Sequence, residues 1–341
     1  MQLNRNSESP KLKTRRMTVW ASSLLVCILP ESALNQNATN AATSPTIALQ
    51  HSGSTMSTAR IYTWIGNTHA WDQRLHVSGY RLGCDRGAPQ ICLSDAAHAV
   101  SEEGLTTIFL SLPEDANQTP RDAQLVSSMS LSRPYLVEVG FDDFVDRYEK
   151  LFTQPGVNPS SWLQNVYLKV KAANQNLGFG VTLYEDEIDS PYLRPPRLPA
   201  SLARDVGYVH LYLHYRTDAE KLPEYVDLTK SLFPNARVIV GLYAYDRINY
   251  IPCSQASRRP CNESEELHFY EQAADIAAHL LRQGVISGVE FYPGFFGRED
   301  EWPGWKNRDY CAPARIEECI RNTRLMRDKT VSIFSSTLGW P

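Results

Sequence analysis

Residues 208–215 read YVHLYLHY, a run whose two faces differ in kind. Side chains alternate along an extended chain, so Val209, Leu211 and Leu213 share one face while Tyr208, His210, Tyr212 and His214 share the other. An aliphatic face suits a layer of packed helices. A face of phenols and imidazoles suits the inside of a closed sheet.

The same kind of run recurs along the chain. IYTWIG (61–66), TTIFLSL (106–112), YLVEVG (135–140), FGVTLY (179–184), RVIVGLYAY (237–245) and SGVEFYP (287–293) join it to give seven strand candidates rich in β-branched, Leu and Tyr residues. Helical patterns lie between most of them. Residues 94–103, 141–152, 160–176, 218–233 and 264–283 carry helical spacing or helix stop signals, with Gly104 and Gly284 closing two of them. A further helix is expected over 313–327, followed by VSIF (331–334) as an eighth strand. Strands alternating with helices pair in parallel through right-handed crossovers. Eight units in this length predict a (β/α)8 TIM-like barrel. A doubly wound sheet is the alternative, but neither G-x-G-x-x-G nor a phosphate-binding loop follows the first strand.

Barrel sites form at the carboxyl ends of the strands. Alternation turns Glu138, Thr182, Tyr184, His210, Tyr212, His214, Tyr243, Tyr245, Glu290 and Tyr292 inward, an acidic, hydroxylated and aromatic set. A lone carboxylate inside SGVEFYP is costly to bury unpaired, so Glu290 is either a structural ion pair or a reactive group. The stretch TLYEDEIDS (182–190) ends a strand in Glu185, Asp186, Glu187 and Asp189. These acids are either a solvated turn or acid–base groups at a strand end. His210 and His214, four residues apart on a strand, would stand about 13 Å from each other and could not share one metal ion. No metal site is assigned.

The remaining clues come from loops and the amino terminus. The loops after the first and last strand candidates carry Trp71, Trp302 and Trp305, platforms for the apolar faces of sugar rings or simply loop packing. Lys11, Lys13, Arg15 and Arg16 precede the apolar run MTVWASSLLVCIL (17–29), the layout of a secretory signal over residues 1–30. Residues 31–58, rich in Asn, Ala, Ser and Thr, suit a flexible linker before a single barrel domain over 59–341. Beyond Cys27, six cysteines fall into three C-x7-C pairs: Cys84 and Cys92, Cys253 and Cys261, Cys311 and Cys319. Short loops close at least entropic cost, so local disulfides are expected, hence a secreted or periplasmic protein. Zinc would favour closer spacing with His partners. A net charge of −4 without a basic stripe excludes nucleic acid as a partner, and nothing beyond the export signal points to a membrane.

The acids after FGVTLY (Tyr184-Glu185-Asp186-Glu187) and within SGVEFYPG (Glu290-Phe291-Tyr292-Pro293-Gly294) resemble the 4/7 superfamily of retaining glycoside hydrolases. The resemblance implies Glu185 as acid/base and Glu290 as nucleophile, with Glu187 a substitute acid. It implies a carbohydrate substrate, for which the inward-facing Glu138, Tyr184, His210, Tyr212, His214, Tyr243, Tyr245 and Tyr292 are the candidate contacts, and no cofactor is expected. Two other functions fit the same residues: a carbohydrate-binding barrel without catalysis, and a metal-dependent hydrolase.

Overall fold

The computed structural model describes residues 60–64, 73–84, 88–113, 115–244, 253–256, 261–292 and 316–340. The chain divides into Met1–Thr55 and Met56–Pro341, and every described residue lies in the second unit. The expected signal and linker, Trp71, Trp302, Trp305, Tyr245, Cys311 and the side chain of Cys319 lie outside the described residues.

Eight parallel strands close in sequence order: β1 Ile61–Trp64, β2 Val77–Gly83, β3 Thr107–Ser111, β4 Leu136–Phe141, β5 Gly178–Tyr184, β6 Tyr208–Tyr212, β7 Arg237–Tyr243 and β8 Gly288–Tyr292. The barrel is as expected, but two of its strands are not. Segment 77–83 (VSGYRLG), assigned from sequence to a loop, is β2, because its inward side chains are Gly79 and Arg81 and break the usual apolar signature. Segment 331–334, expected as the eighth strand, lies in a long helix, α8 Ile316–Leu338, where Val331 and Phe334 pack at helical spacing against the core. The count of eight therefore survives with shifted identities. The strand read as fourth is β5, and the one read as seventh is β8.

The helices are α1 Pro89–Glu103, α2 Gln118–Ser130, α3 Phe144–Phe152, α4 Pro159–Val170, α5 Ala200–Asp205, α6 Leu222–Leu232, α7 Glu263–Arg282 and α8. Helix α1 begins five residues before the expected Ser94, with Pro89 at its first turn, where a missing N–H costs nothing. Asn262 opens α7 as a capping box, its side chain accepting from the Glu265 N–H while Glu265 reciprocates. The outward aliphatic residues of the strands, such as Val209 and Val289, pack with these helices in two clusters that surround the barrel. No described helix is long and apolar enough to cross a membrane.

Inside the barrel the residues fall into layers drawn from alternate strands, as expected of this architecture. Tyr62, Phe109 and Ile239, from odd-numbered strands, form an apolar layer. Next to it stand Arg81, Glu138, His210 and Glu290, one from each even-numbered strand and all at most 1% exposed. A register shift brings Glu138 into this layer: Ile108 pairs with Leu136 but Phe109 pairs with Glu138, leaving Val137 as the extra residue. Glycines make room for it. A Cβ on Gly180 would lie 1.8 Å from Glu138 Oε1, and one on Gly241 would lie 2.2 Å from the Tyr212 ring.

Candidate active site

The charged layer is the floor of the site. His210 Nε2 stands 3.1 Å from Glu138 Oε2, and its Nδ1 stands 3.1 Å from Glu290 Oε2. The first contact is a hydrogen bond and the second is a charge contact without good alignment. Arg81 Nη1 lies 4.0 Å from Glu290 Oε1, and the same oxygen accepts a 2.6 Å hydrogen bond from the Tyr212 hydroxyl. Burial works against the ionised form of Glu290, but His210, Arg81 and Tyr212 outweigh it and hold the carboxyl below its ordinary range. For His210 burial favours the neutral ring, yet Glu290 and Glu138 prevail and raise its pKa. Two carboxyls thus face two basic groups in a site without water access, the arrangement under which buried charge is tolerated.

Above this floor, at the carboxyl ends of the strands, is a cavity of about 130 Å³. It is lined by Trp64, Asp142, Asp143, Thr182, Tyr184, Tyr212, Tyr243 and Tyr292. Asp142 and Asp143 directly follow β4. Burial pushes the Asp142 carboxyl above its ordinary value, and the neighbouring Asp143 adds to the rise while Arg81 opposes it. Asp143 has φ 46° and ψ 50°, left-handed backbone for a residue with a side chain. Such strain persists where surroundings enforce it and gathers at functional sites. Here Asp143 Oδ1 accepts a 2.7 Å hydrogen bond from the Tyr184 hydroxyl. The aromatic wall is continuous, with Trp64 edge-on to Tyr292 at 5.3 Å, Tyr292 to Tyr243 at 5.9 Å and Tyr243 near Tyr212 at 5.3 Å.

The structure distributes the sequence-derived residues unequally. Tyr184, Tyr212, Tyr243 and Tyr292 line the cavity. Glu138, His210 and Glu290 lie beneath it in the charged layer. Glu185 and Glu187 do not line the cavity, and their oxygens accept backbone N–H groups. Glu185 takes those of His214 at 2.6 Å and Tyr215 at 2.8 Å, tying the end of β5 to the segment after β6. Glu187 takes that of Tyr184 at 3.1 Å. Burial lifts Glu185 to about 7 and Glu187 to about 8. His214 stacks on the Tyr184 ring at 3.6 Å and bonds Asp186 at 2.9 Å. Glu185, Asp186 and His214 each bring one potential ligand atom within 4.8 Å of the others, and hydrogen bonds within and around the group already use several of these atoms.

Sequence reasoning missed Asp142, Asp143, Trp64 and Arg81. The pair in GFDDF (140–144) was legible as carboxylates at a strand end, the signal applied instead to Glu185. Arg81 was hidden with β2. The disulfides Cys84–Cys92 and Cys253–Cys261 are formed. The first joins the end of β2 to α1.

No protein-family model and no curated protein sequence matches the chain. Solved structures do resemble it in shape. A glucosidase from Croceicoccus marinus aligns with a TM-score of 0.52 at 10% identity, over 82% of this chain and 68% of its own. A GH10 structure from Paenibacillus barcinonensis aligns at 0.50 and 9% identity, over 80% and 96%. At such identity the likeness is one of fold, and it defines the chain as a (β/α)8 barrel.

Proposed function

We propose that this barrel hydrolyses a glycosidic bond of a saccharide held in the mouth cavity. The observation that carries the proposal is the lining itself: two adjacent acids facing four phenols, a threonine and an indole in one pocket. Sugar rings offer apolar faces edged with hydroxyls, which such a wall can both stack against and hydrogen-bond. Asp142 acts as the proton donor to the departing oxygen, because burial favours its protonated form. Asp143, aligned by Tyr184, serves as the second carboxyl of the mechanism. Glu290, paired with Arg81 and His210 beneath the cavity, holds the Tyr212 hydroxyl in place, and Glu185 and Glu187 shape the rim. The two disulfides suit an oxidising compartment, so the proposal includes secretion or a periplasmic location.

The test is hydrolysis of a panel of aryl glycosides and polysaccharides by the native protein and by Asp142→Asn. Cleavage of at least one substrate is expected, reduced about 10²- to 10⁴-fold by the substitution. A native protein that binds saccharides but cleaves none would instead be a non-catalytic binding barrel.

A further inference from the structure

Pro191, Pro195, Pro196 and Pro199 follow the acidic turn after β5. Proline lacks an N–H and does not fit a helix interior, so the chain enters its next helix late. Helix α5 has six residues, against nine in α3 and more in every other described helix. So short a helix covers less of the barrel wall. Beside it lies a groove of about 450 Å³, the size of a small-molecule site. One wall is α5, through Ala203 and Arg204, and the other is the end of α6, through Leu228 and Leu232. Leu193, Arg194 and Leu198 of the proline-rich segment complete it. Among the described residues that line it, none is aromatic and none is acidic. Arg204 is exposed. The carboxylate beside Arg194, Asp189, is 98% exposed and lies 3.7 Å from Nη2, too far for a hydrogen bond. Arg194 Nη1 is shut off from solvent and has no hydrogen-bond partner among the described residues. A buried donor left unpaired is costly, and an anion brought to this guanidinium would satisfy it.

We propose that this groove binds an alkyl carboxylate, its chain lying along the aliphatic walls between α5 and α6 and its head paired with Arg194, while Arg204 adds to the positive field. Leucine and alanine walls suit methylene groups, which gain from leaving water and need no hydrogen bonds. The rings of the barrel mouth suit a different ligand. No residue lines both the groove and the mouth cavity, so this site is separate from the glycosidase centre and stands whether or not that proposal holds.

The experiment is calorimetric titration of the full chain with octanoate, decanoate and dodecanoate below their micellar concentrations, and with decanol as the neutral counterpart. One carboxylate should bind per chain, with affinity rising about threefold or more for every two carbons added, a part of the gain that full burial would give. Decanoate should bind about tenfold tighter than decanol, the scale of a charge-assisted hydrogen bond. Arg194→Gln should remove about that factor for decanoate and leave decanol unchanged. Arg194→Lys, which keeps the charge without the planar fork, should fall between the two. Leu228→Asn should weaken both ligands. The proposal is overturned if decanoate does not bind, if affinity is indifferent to chain length, if decanol binds as tightly, or if Arg194→Gln keeps the native affinity for decanoate. Self-association that Leu228→Glu abolishes and decanoate does not disturb would also overturn it, and would give the groove to a second copy of the chain. The substituted side chains are partly or well exposed, so circular dichroism should show the fold retained in each variant.

Discussion

Single residues show how the barrel interior was fitted around its charges. Gly241 has no side chain because the Tyr212 ring occupies that space, and Tyr212 in turn covers Glu290. Gly241→Ala would press a methyl group to within 2.2 Å of the ring. The expected outcome is a loss of about 1 to 3 kcal/mol in chemical denaturation, together with a displaced Tyr212. Gly180→Ala meets Glu138 Oε1 instead, so it should cost a similar amount by disturbing the charged layer. The sequence announced Glu138, His210 and Glu290 as inward-facing, because alternation along a strand is strict. It did not show that they meet one another, which depends on the bulge at Val137 and on the stagger of four strands.

Among elements, the junction between β5 and the segment after β6 explains why an acidic run ends a buried strand. Glu185 satisfies two backbone N–H groups that no strand partner serves. Glu185→Ala leaves them unpaired and should destabilise the fold by about 1 to 3 kcal/mol, measured by urea titration, without the loss in turnover per folded molecule expected of Asp142→Asn. The junction also carries a pH signature. A carboxyl raised from 4.5 to about 7, as for Glu185, adds stability that is complete below 4.5 and lost as pH rises through 7. Glu187 repeats this through about 8, and the raised pKa of His210 has the same sign, its contribution full below 6.5. Glu290, held low, contributes in the opposite sense and loses its share only in acid. Thermal unfolding followed from pH 4 to 9 should therefore show a maximum on the mildly acidic side, and Glu185→Gln should flatten the decline near pH 7. The missed strand belongs to this scale too. In β2 the inward positions hold Gly79 and Arg81, and a pattern search for apolar alternation passes over both.

For the molecule as a whole, the (β/α)8 architecture was legible because the other strands and most helices announce their period, and a closed ring of eight tolerates one misplaced strand. The position of the site was harder to read. Counting VSIF as a strand and β2 as a loop moved every ordinal number between them by one, so acids assigned to a fourth strand belong to the fifth. With the numbering corrected, the carboxylates that follow β4 are Asp142 and Asp143, and these are the acids that line the cavity. The disulfides act at the same scale, closing loops at the carboxyl-end rim after β2 and β7. Replacing both cysteines of either pair by serine should lower stability by about 2 to 3 kcal/mol in the chain-entropy account, read as a lower melting temperature with the barrel's circular dichroism retained. The central claim, that the barrel mouth cleaves glycosides with Asp142 as proton donor, is tested most directly by varying the leaving group. Rates for Asp142→Asn and the native protein are compared on a poor leaving group, an alkyl glycoside, and on a good one, a 2,4-dinitrophenyl glycoside that departs without a proton. The expected result is a loss of about 10²-fold or more on the first and little loss on the second. Equal losses on both, or none on either, would contradict it.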